Sequence, residues 1–574
     1  MTSTLAAQTD DPDLVVIGAG GAGMACALFG ALQGLRVLLL ESTEYVGGTT
    51  AFSAGTVWVP NSAHAAEVGA QDSPAQAAAY LNHVVGPHGH PALRDAFLRH
   101  GPQALALLEA QSQVRLRAYA RHPDYESDVE GATLAGRALE PLPFDGRQLG
   151  RHFALVRPPI PEFTVLGGMM VDRTDIQHLL AMKRSLPSLR HGLGLIARHA
   201  VDRLRHPRGT RLVMGNALVG RLLASLVERG VPIWTQARVE RFVIDGGVVI
   251  GVEVTHAGQT RRVLARSGVV LASGGFNRHP QLRARLLPAG ETHTPGAPGH
   301  TGEALSLALA AGARLGQGHL DSAFWAPVSV RQRADGSRAV FPHFVLDRAK
   351  PGTVVVNQAG ERFVNESTSY HRFGRAMFQS DLRSPSIPAY LIADARALQA
   401  YGLGMVRPGA GSRGLQPFLN DGYLVTGRTL GELAGRLGID AAGLVRTVAR
   451  LNDHARTGED PDFGRGRTAY QRHLGDPVCA PNPNLGPIET APFYAVRLYP
   501  GDIGAATGLQ TDADARVLDG QGQPMPGLYA VGNDMQSVMG GTYPGPGITL
   551  GPGLTFAYLA ARHAAARLAP HTAP

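Results

Sequence analysis

Gly18, Gly20 and Gly23 stand at GxGxxG spacing, and Glu41 follows about 20 residues on. Glycines so spaced let a backbone turn tightly, approach a pyrophosphate closely and pack a helix against a strand, while the acid can accept hydrogen bonds from ribose hydroxyls. The chemistry they suit is the holding of a dinucleotide. The flanking elements must position them. LVVI at 14–17 is β-branched, as in a buried parallel strand. An alanine-rich helix is predicted over 22–32, ended by Gly34, and 36–40 reads as the second strand. The helix N-terminus then offers free N–H groups and a positive dipole end to phosphates. Because the run 14–40 is broken by six glycines, Gln33 and Arg36, it reads as strand, helix and strand and not as a membrane span.

A chain of 574 residues exceeds one ordinary core, so two or three domains are expected. With 44% apolar and 17% charged residues it belongs among globular and not disordered proteins. The two cysteines, Cys26 and Cys479, lie too far apart in sequence for a disulfide framework or metal spacing, which favours a reducing compartment and no metal. The first fourteen residues contain no Lys or Arg and no apolar core, so no secretory signal is expected there. The simplest location is cytoplasmic.

A second glycine turn, Gly47-Gly48-Thr49-Thr50, then Ser53 and Gly55, follows the acid closely. Such a turn suits a large cofactor lying along the domain. At this point the chain resembles the flavoprotein family of fumarate reductases and 3-ketosteroid dehydrogenases, and the likeness runs from Asp13 to about His563. The resemblance implies FAD, with 47–55 meeting the pyrophosphate and flavin ring. Members with covalent flavin carry a His in this stretch; none stands between Gly47 and Val59, so non-covalent attachment is expected. No second GxGxxG has a strand before it and an acid after it, so an external electron acceptor, a quinone or another, is expected in place of a nicotinamide domain.

The implied fold is α/β: a Rossmann-like FAD-binding domain split in sequence, with an inserted α+β substrate domain. Its first part is expected over 1–290, the insert over 291–477 and the second part over 478–574. A hairpin turns at Asp245-Gly246-Gly247, and a strand at 269–272 ends in Ser273-Gly274. By the resemblance, Val239 in the hairpin places a backbone group on adenine, and Ser273 and Gly274 lie by the cofactor. The segment 360–366 (GERFVNE) matches a pattern recurring in the family's substrate domain. Near the end, a strand runs into Asn533, and Thr549 and Leu550 lead into a helix predicted over 554–567, whose N-terminus would face the flavin.

Tyr543-Pro544-Gly545-Pro546-Gly547 resembles the YPGPG segment of 3-ketosteroid Δ1-dehydrogenases. There the phenol, here Tyr543, and the N–H, here of Gly547, hold the ketone oxygen. Tyr370 takes the place of the base that removes the proton beside the carbonyl, and Tyr125 that of its helper. A free phenol titrates near ~10, so a base of this kind needs a hydrogen-bonded helper. Some relatives have a second aromatic after the helper; here Glu126 stands instead. The activity implied is desaturation next to a cyclic ketone, most directly the 1,2-desaturation of a 3-ketosteroid. A smaller cyclic ketone is the alternative, as is a fumarate-reductase-like reaction using His371, Arg372 and Arg375 to clamp two carboxylates.

Apolar residues recur at Leu189, Leu193, Ile196, Ala200 and Leu204, a helical spacing, and 183–211 holds eight Lys or Arg against one Asp. A basic amphipathic helix of this kind can lie on the inner face of the cell membrane. The alternative is a helix whose apolar face covers the protein's own core. No aromatic platform interleaves with the basic residues, so nucleic acid is not the expected partner.

Overall fold

The computed structural model describes residues 11–344 and 347–568. Residues 1–10, most of the segment read as lacking a secretory signal, lie outside them. The segment 14–40 folds as strand Leu14–Ile17, helix Gly21–Leu32 and strand Val37–Leu40. These strands join a six-stranded sheet in the order Ile233–Trp234, Val37–Leu40, Leu14–Ile17, Gly268–Leu271, Pro524–Ala530, Arg516–Leu518. All but the last pair run parallel. The sheet is thus built from three distant stretches of chain, as expected for a domain split in sequence.

Register places Ile17 opposite both Leu40 and Leu271, and Leu271 opposite Ala530. Gly18, Glu41, Ala272 and Val531 therefore emerge in one row at the carboxyl ends of the strands, where doubly wound sheets bind ligands. The hairpin predicted near 245 is strands Arg238–Asp245 and Val248–His256, extended by Gln259–Leu264.

The second six-stranded sheet is antiparallel: Arg338–Pro342, Ala323–Gln332, Phe493–Ala505, Ala389–Ala393, Thr353–Val356, with Val425–Gly427 also on Phe493–Ala505. Its side chains alternate between two cores. Val355, Leu391 and Val496 enter one, and Val354, Val356, Ile392 and Ala495 the other, as a period of two requires.

The C-terminal helix corrects the expected start at 554: it runs Leu550–Ala566 and takes Gly551, Pro552 and Gly553 into its first turn. A proline there forfeits nothing, because first-turn N–H groups have no intrahelical partner. Glycine is required at 551, since a Cβ would meet Trp58 O at 1.9 Å.

Segment 186–204 is helical as expected, Leu186–Asp202, but the face it buries is the polar one. Ser188, Gly192, His199 and Asp202 point inward; His199 Nε2 bonds Leu166 O (3.0 Å) and Asp202 accepts from Thr210 N–H (2.8 Å). Leu186 (78% exposed), Leu193, Val201 and Leu204 (82% exposed) face outward. Internal hydrogen bonds to the polar residues decide the orientation, and apolar spacing alone could not reveal it. No helix among the described residues is long and apolar enough to cross a membrane.

Candidate active site

At Gly18 the backbone has φ +103°, and a Cβ would lie 2.3 Å from Ala272 O. At Gly23 a Cβ would overlap Gly18 O at 1.8 Å, so the helix packs directly on the turn. Around Gly20 a Cβ would meet nothing within 4 Å, leaving the loop open on that side. Glu41 closes the loop: one oxygen accepts from Ala19 N–H (3.0 Å), the other from Thr43 N–H (2.9 Å) and hydroxyl (2.7 Å). The N–H of Ala237 bonds Glu41 O (2.9 Å), which brings Val239, two residues on, to the same edge.

The second glycine turn is laced to the first. Gly47 N–H donates to Ala19 O (2.7 Å) and Gly21 N–H to the Thr50 hydroxyl (3.1 Å). Gly55 N–H donates to the Ser53 hydroxyl (2.9 Å), and Gly48 and Thr49 lie beside His300, whose Nε2 is 3.2 Å from the Thr49 hydroxyl. Across the sheet, the carboxylate of Asp534 accepts from the N–H of Ser273, from its hydroxyl (3.0 Å) and from Gly275 N–H (2.8 Å). This fixes Ser273, Gly274 and Asn533 at the strand ends. Burial holds the Asp534 carboxyl above its usual range. Leu550 abuts Gly21, so both helix N-termini converge on one cleft.

That cleft is lined by Phe324, Asn533, Gln536, Ile548, Thr549 and Pro552. The Gln536 amide is buried, and neither its N nor its O has a partner among the described residues. A buried amide left so is costly unless a polar ligand meets it. Open backbone at Gly20, two convergent helix N-termini and the orphaned amide fit FAD.

The tyrosines form one cage beside this cleft. Tyr370 is the first residue of helix Tyr370–Asp381, capped by Ser369, whose hydroxyl accepts from Arg372 N–H (3.4 Å). The Tyr125 hydroxyl donates to that of Tyr370 (3.0 Å). The rings of Tyr370 and Tyr543 are 4.9 Å apart and nearly perpendicular; those of Tyr125 and Tyr543 are stacked at 5.8 Å. Pro544 O accepts from Tyr125 N–H (2.9 Å) and the Tyr80 hydroxyl (2.6 Å), so the segment carrying Tyr543 is tied to the turn that carries Tyr125 and to helix Pro74–Val85. Gly547 has φ +92°, and a Cβ there would meet Thr56 O at 2.4 Å. Its carbonyl accepts from Trp58 N–H (3.2 Å), while its N–H has no partner among the described residues. Burial pushes the Tyr543 phenol up to about 12 and those of Tyr125 and Tyr370 well above the ordinary value.

The residues weighed as a dicarboxylate clamp are already engaged. Arg372 Nε lies 2.8 Å from Glu126, and Arg375 and His371 lie 2.9 and 3.1 Å from Asp321. Burial raises the Glu126 carboxyl to about 7.

Several neighbours carry no local sequence signal. Tyr470 packs 4.6 Å from Tyr125 with its hydroxyl unpartnered among the described residues. Arg348 is buried with its guanidinium on the carbonyls of His343 (2.9 Å), Phe344 (2.9 Å) and Glu366, and no carboxylate pairs with it among the described residues. Its positive field reaches Tyr125, Tyr370 and Tyr470. Arg137 is buried between Asp72 (2.7 Å) and Asp124 (2.8 Å), and Asp124 also accepts from Trp58 Nε1 (2.9 Å).

The chain matches the family described as "FAD binding domain" over residues 13–550. It is 39% identical over 557 residues to a 4-oxocyclohex-2-ene-1-carboxylate 5-dehydrogenase of Sinomonas cyclohexanicum, covering 96% of this chain and 93% of that one. It is 37% identical to a 3-oxosteroid 1-dehydrogenase of Mycolicibacterium smegmatis, covering 97% of this chain and 98% of that one. The crystal structure of 3-ketosteroid Δ1-dehydrogenase from Sterolibacterium denitrificans in complex with 1,4-androstadiene-3,17-dione superposes with TM-score 0.90 at 35% identity, covering 97% of this chain and 100% of that one.

Proposed function

The chain belongs to the FAD-binding flavoprotein family, among the 3-oxosteroid 1-dehydrogenases, and from that premise we infer that Tyr543, Gly547, Tyr370 and Tyr125 carry out the desaturation of a cyclic ketone. It is an FAD-dependent dehydrogenase that acts on a CH–CH group beside a ketone, and 1,2-desaturation of a 3-ketosteroid is the reading favoured over a cyclohexanone-type substrate. One observation supports the assignment: the three phenols share one buried cage, and the N–H of Gly547, four residues past Tyr543, has no partner among the described residues.

The Tyr543 hydroxyl and the Gly547 N–H would donate to the ketone oxygen as it becomes enolate-like. Tyr370 would remove the proton from the adjacent carbon, leaving the electron pair to form the double bond as hydride departs from the next carbon. Burial opposes ionisation of that phenol. Two features oppose burial: the positive end of the helix that Tyr370 opens, and the Arg348 guanidinium, which no carboxylate pairs with among the described residues; the Tyr125 hydroxyl, hydrogen-bonded to Tyr370, would relay the proton. Bound FAD supplies the two-electron oxidant. The residues proposed to hold it are Gly18, Gly20, Gly23, Glu41, Gly47, Gly48, Thr49, Thr50, Ser53, Gly55, Val239, Ser273, Gly274, Asn533, Thr549 and Leu550, without a covalent bond, since 47–59 contains no His. The substrate-bearing insert is proposed to run through Ala505, because strand Phe493–Ala505 is central to its sheet.

Anaerobic mixing of the yellow holoenzyme with androst-4-ene-3,17-dione, cyclohexanone or succinate tests this. Loss of flavin absorbance with a cyclic ketone and not with succinate is expected; bleaching by succinate alone would sink it.

We also propose that the outward-turned helix rests on a membrane surface. Of twelve exposed large apolar residues among those described, seven fall within 166–204. Lys183, Arg184, Arg190, Arg203 and Arg205 are exposed beside them without an ion pair among the described residues. Anionic vesicles should sediment the intact protein, and the quadruple change Leu186→Ser, Leu193→Ser, Val201→Ser, Leu204→Ser should abolish that. Equal partition of the two proteins would refute the contact.

A further inference from the structure

The glycine turns that fit FAD bring no cation of their own to the cleft. Between Leu14 and Thr56 the one basic side chain is Arg36, and it pairs with Asp13 (3.5 Å) at the amino-terminal edge of the sheet, away from the strand ends. The same stretch contains two acids, Glu41 and Glu44. His300, beside Gly48 and Gly274, stands neutral at pH 7, its ring held at about 4 chiefly by burial. A diphosphate over Gly20 would meet two helix N-termini, each worth about half a charge, and nothing within these turns to balance the rest.

A third segment supplies what they lack. Gly20 bridges to Gly47 and Val46 to Val156, both in parallel, so 18–20, 46–47 and 156–157 lie side by side as short extended stretches. Gly47 N–H donates to Ala19 O (2.7 Å), Val46 N–H to Leu155 O (2.8 Å) and Arg157 N–H to Val46 O (3.0 Å). Arg208 fixes the outermost stretch from behind, donating to Val156 O (2.9 Å). From there the Arg157 side chain reaches the nucleotide acid through one hydroxyl. Its Nη2 donates to the Thr43 hydroxyl (2.6 Å), which lies 2.7 Å from Glu41 Oε1, and to Tyr45 O (3.3 Å). The rings of Tyr45 and Phe52 flank the guanidinium at 5.7 and 5.9 Å.

Arg157 is 6% exposed, yet no carboxylate forms an ion pair with it and its Nε has no hydrogen-bond partner among the described residues. A buried guanidinium left so is costly unless an anion meets it. Arg278, the other arginine at this end of the cleft, is committed to the carbonyls of Gly296 (2.6 Å) and Ala297 (3.0 Å).

We propose that Arg157 is the cation that receives the diphosphate of FAD, in a site completed by the open backbone at Gly20 and the two helix N-termini. This rests on the reading of the glycine cleft as the FAD site, and it places the balancing charge on a residue outside the strand, helix and strand that carry the GxGxxG spacing.

The full chain, stripped of flavin, tests this when titrated with FAD and with riboflavin, and when ADP and adenosine compete against FAD, all followed by flavin fluorescence. Arg157→Gln should weaken FAD and ADP about thirtyfold each, the loss of one charge-assisted hydrogen bond, while riboflavin and adenosine, which lack the diphosphate, stay within about twofold. Arg157→Lys should recover part of the loss as a point charge. Arg157→Met, which keeps an apolar stem between Tyr45 and Phe52, should lose as much as the Gln variant and carries the test if that chain does not fold. FAD affinity unmoved by the loss of the guanidinium overturns the proposal. So does adenosine or riboflavin weakened as much as FAD, which is what a merely structural arginine would give. A wild-type chain that takes up no FAD overturns the cofactor site together with it.

Discussion

Tyr370→Phe is expected to retain its flavin, to bind ketone with its usual affinity, and to lose about 10²–10⁴-fold in kcat. The lost hydroxyl is the one within the cage that accepts a hydrogen bond from another phenol, Tyr125 at 3.0 Å, while the Tyr543 hydroxyl and the Gly547 N–H stay to hold the carbonyl. The ring itself keeps its contacts with Phe344 (4.9 Å) and Tyr543 (4.9 Å), so the packing survives the change. Because burial places this phenol well above the ordinary range, the working form of the base is scarce at neutral pH. Wild-type kcat should therefore climb with pH toward the alkaline side, and the Phe variant should show a flat profile. Ketone binding is read from the perturbation of the flavin spectrum. Rapid turnover with an unaltered pH profile in the variant would remove Tyr370 as the base.

Arg137→Met is expected to destabilise the fold by about 3–5 kcal/mol and to weaken catalysis besides. The guanidinium lies buried between two buried carboxylates, Asp72 and Asp124, and each would be left without its counter-charge. Asp124 already sits above its ordinary range through burial, with Arg137 as the principal opposing influence. Without it the acid would take a proton and lose its grip on Trp58 Nε1, and the neighbouring Tyr125 would lose its frame. Adding Asp72→Asn and Asp124→Asn should recover part of the stability, since uncharged amides in place need no cation. Thermal unfolding followed by flavin release would show this; a midpoint unchanged in the single variant would mean the triad is not what holds this corner.

The nucleotide end was legible because its signals are local. Gly18, Gly20, Gly23 and Glu41 fall within one strand, helix and strand, and their reasons are steric ones that spacing expresses. Tyr125, Tyr370 and Tyr543 were legible only through a family pattern, since 245 residues separate the two hydroxyls that meet. Nothing in the spacing marked His300, Asp534, Tyr80 or Arg348, whose partners lie in other segments and whose burial only the assembled core decides. Segment 186–204 was right as a helix and undecided in its orientation, because His199 and Asp202 find their hydrogen bonds inside. The start of the last helix was missed because Gly-Pro-Gly reads as a loop, although a first turn accommodates it.

The interleaving of strands Leu14–Ile17, Gly268–Leu271 and Pro524–Ala530 has a consequence for biosynthesis. A ribosome that has delivered the glycine loop must still make some five hundred further residues before the strand bearing Asn533 and Asp534 at its end can slot beside Gly268–Leu271. Until then the nascent first strand has an unclosed neighbour on one side, and neither Ser273 nor Gly275 has the carboxylate that anchors it. Loading of the coloured prosthetic group is thereby deferred to the last moments of synthesis, and a polypeptide released early would leave the ribosome colourless.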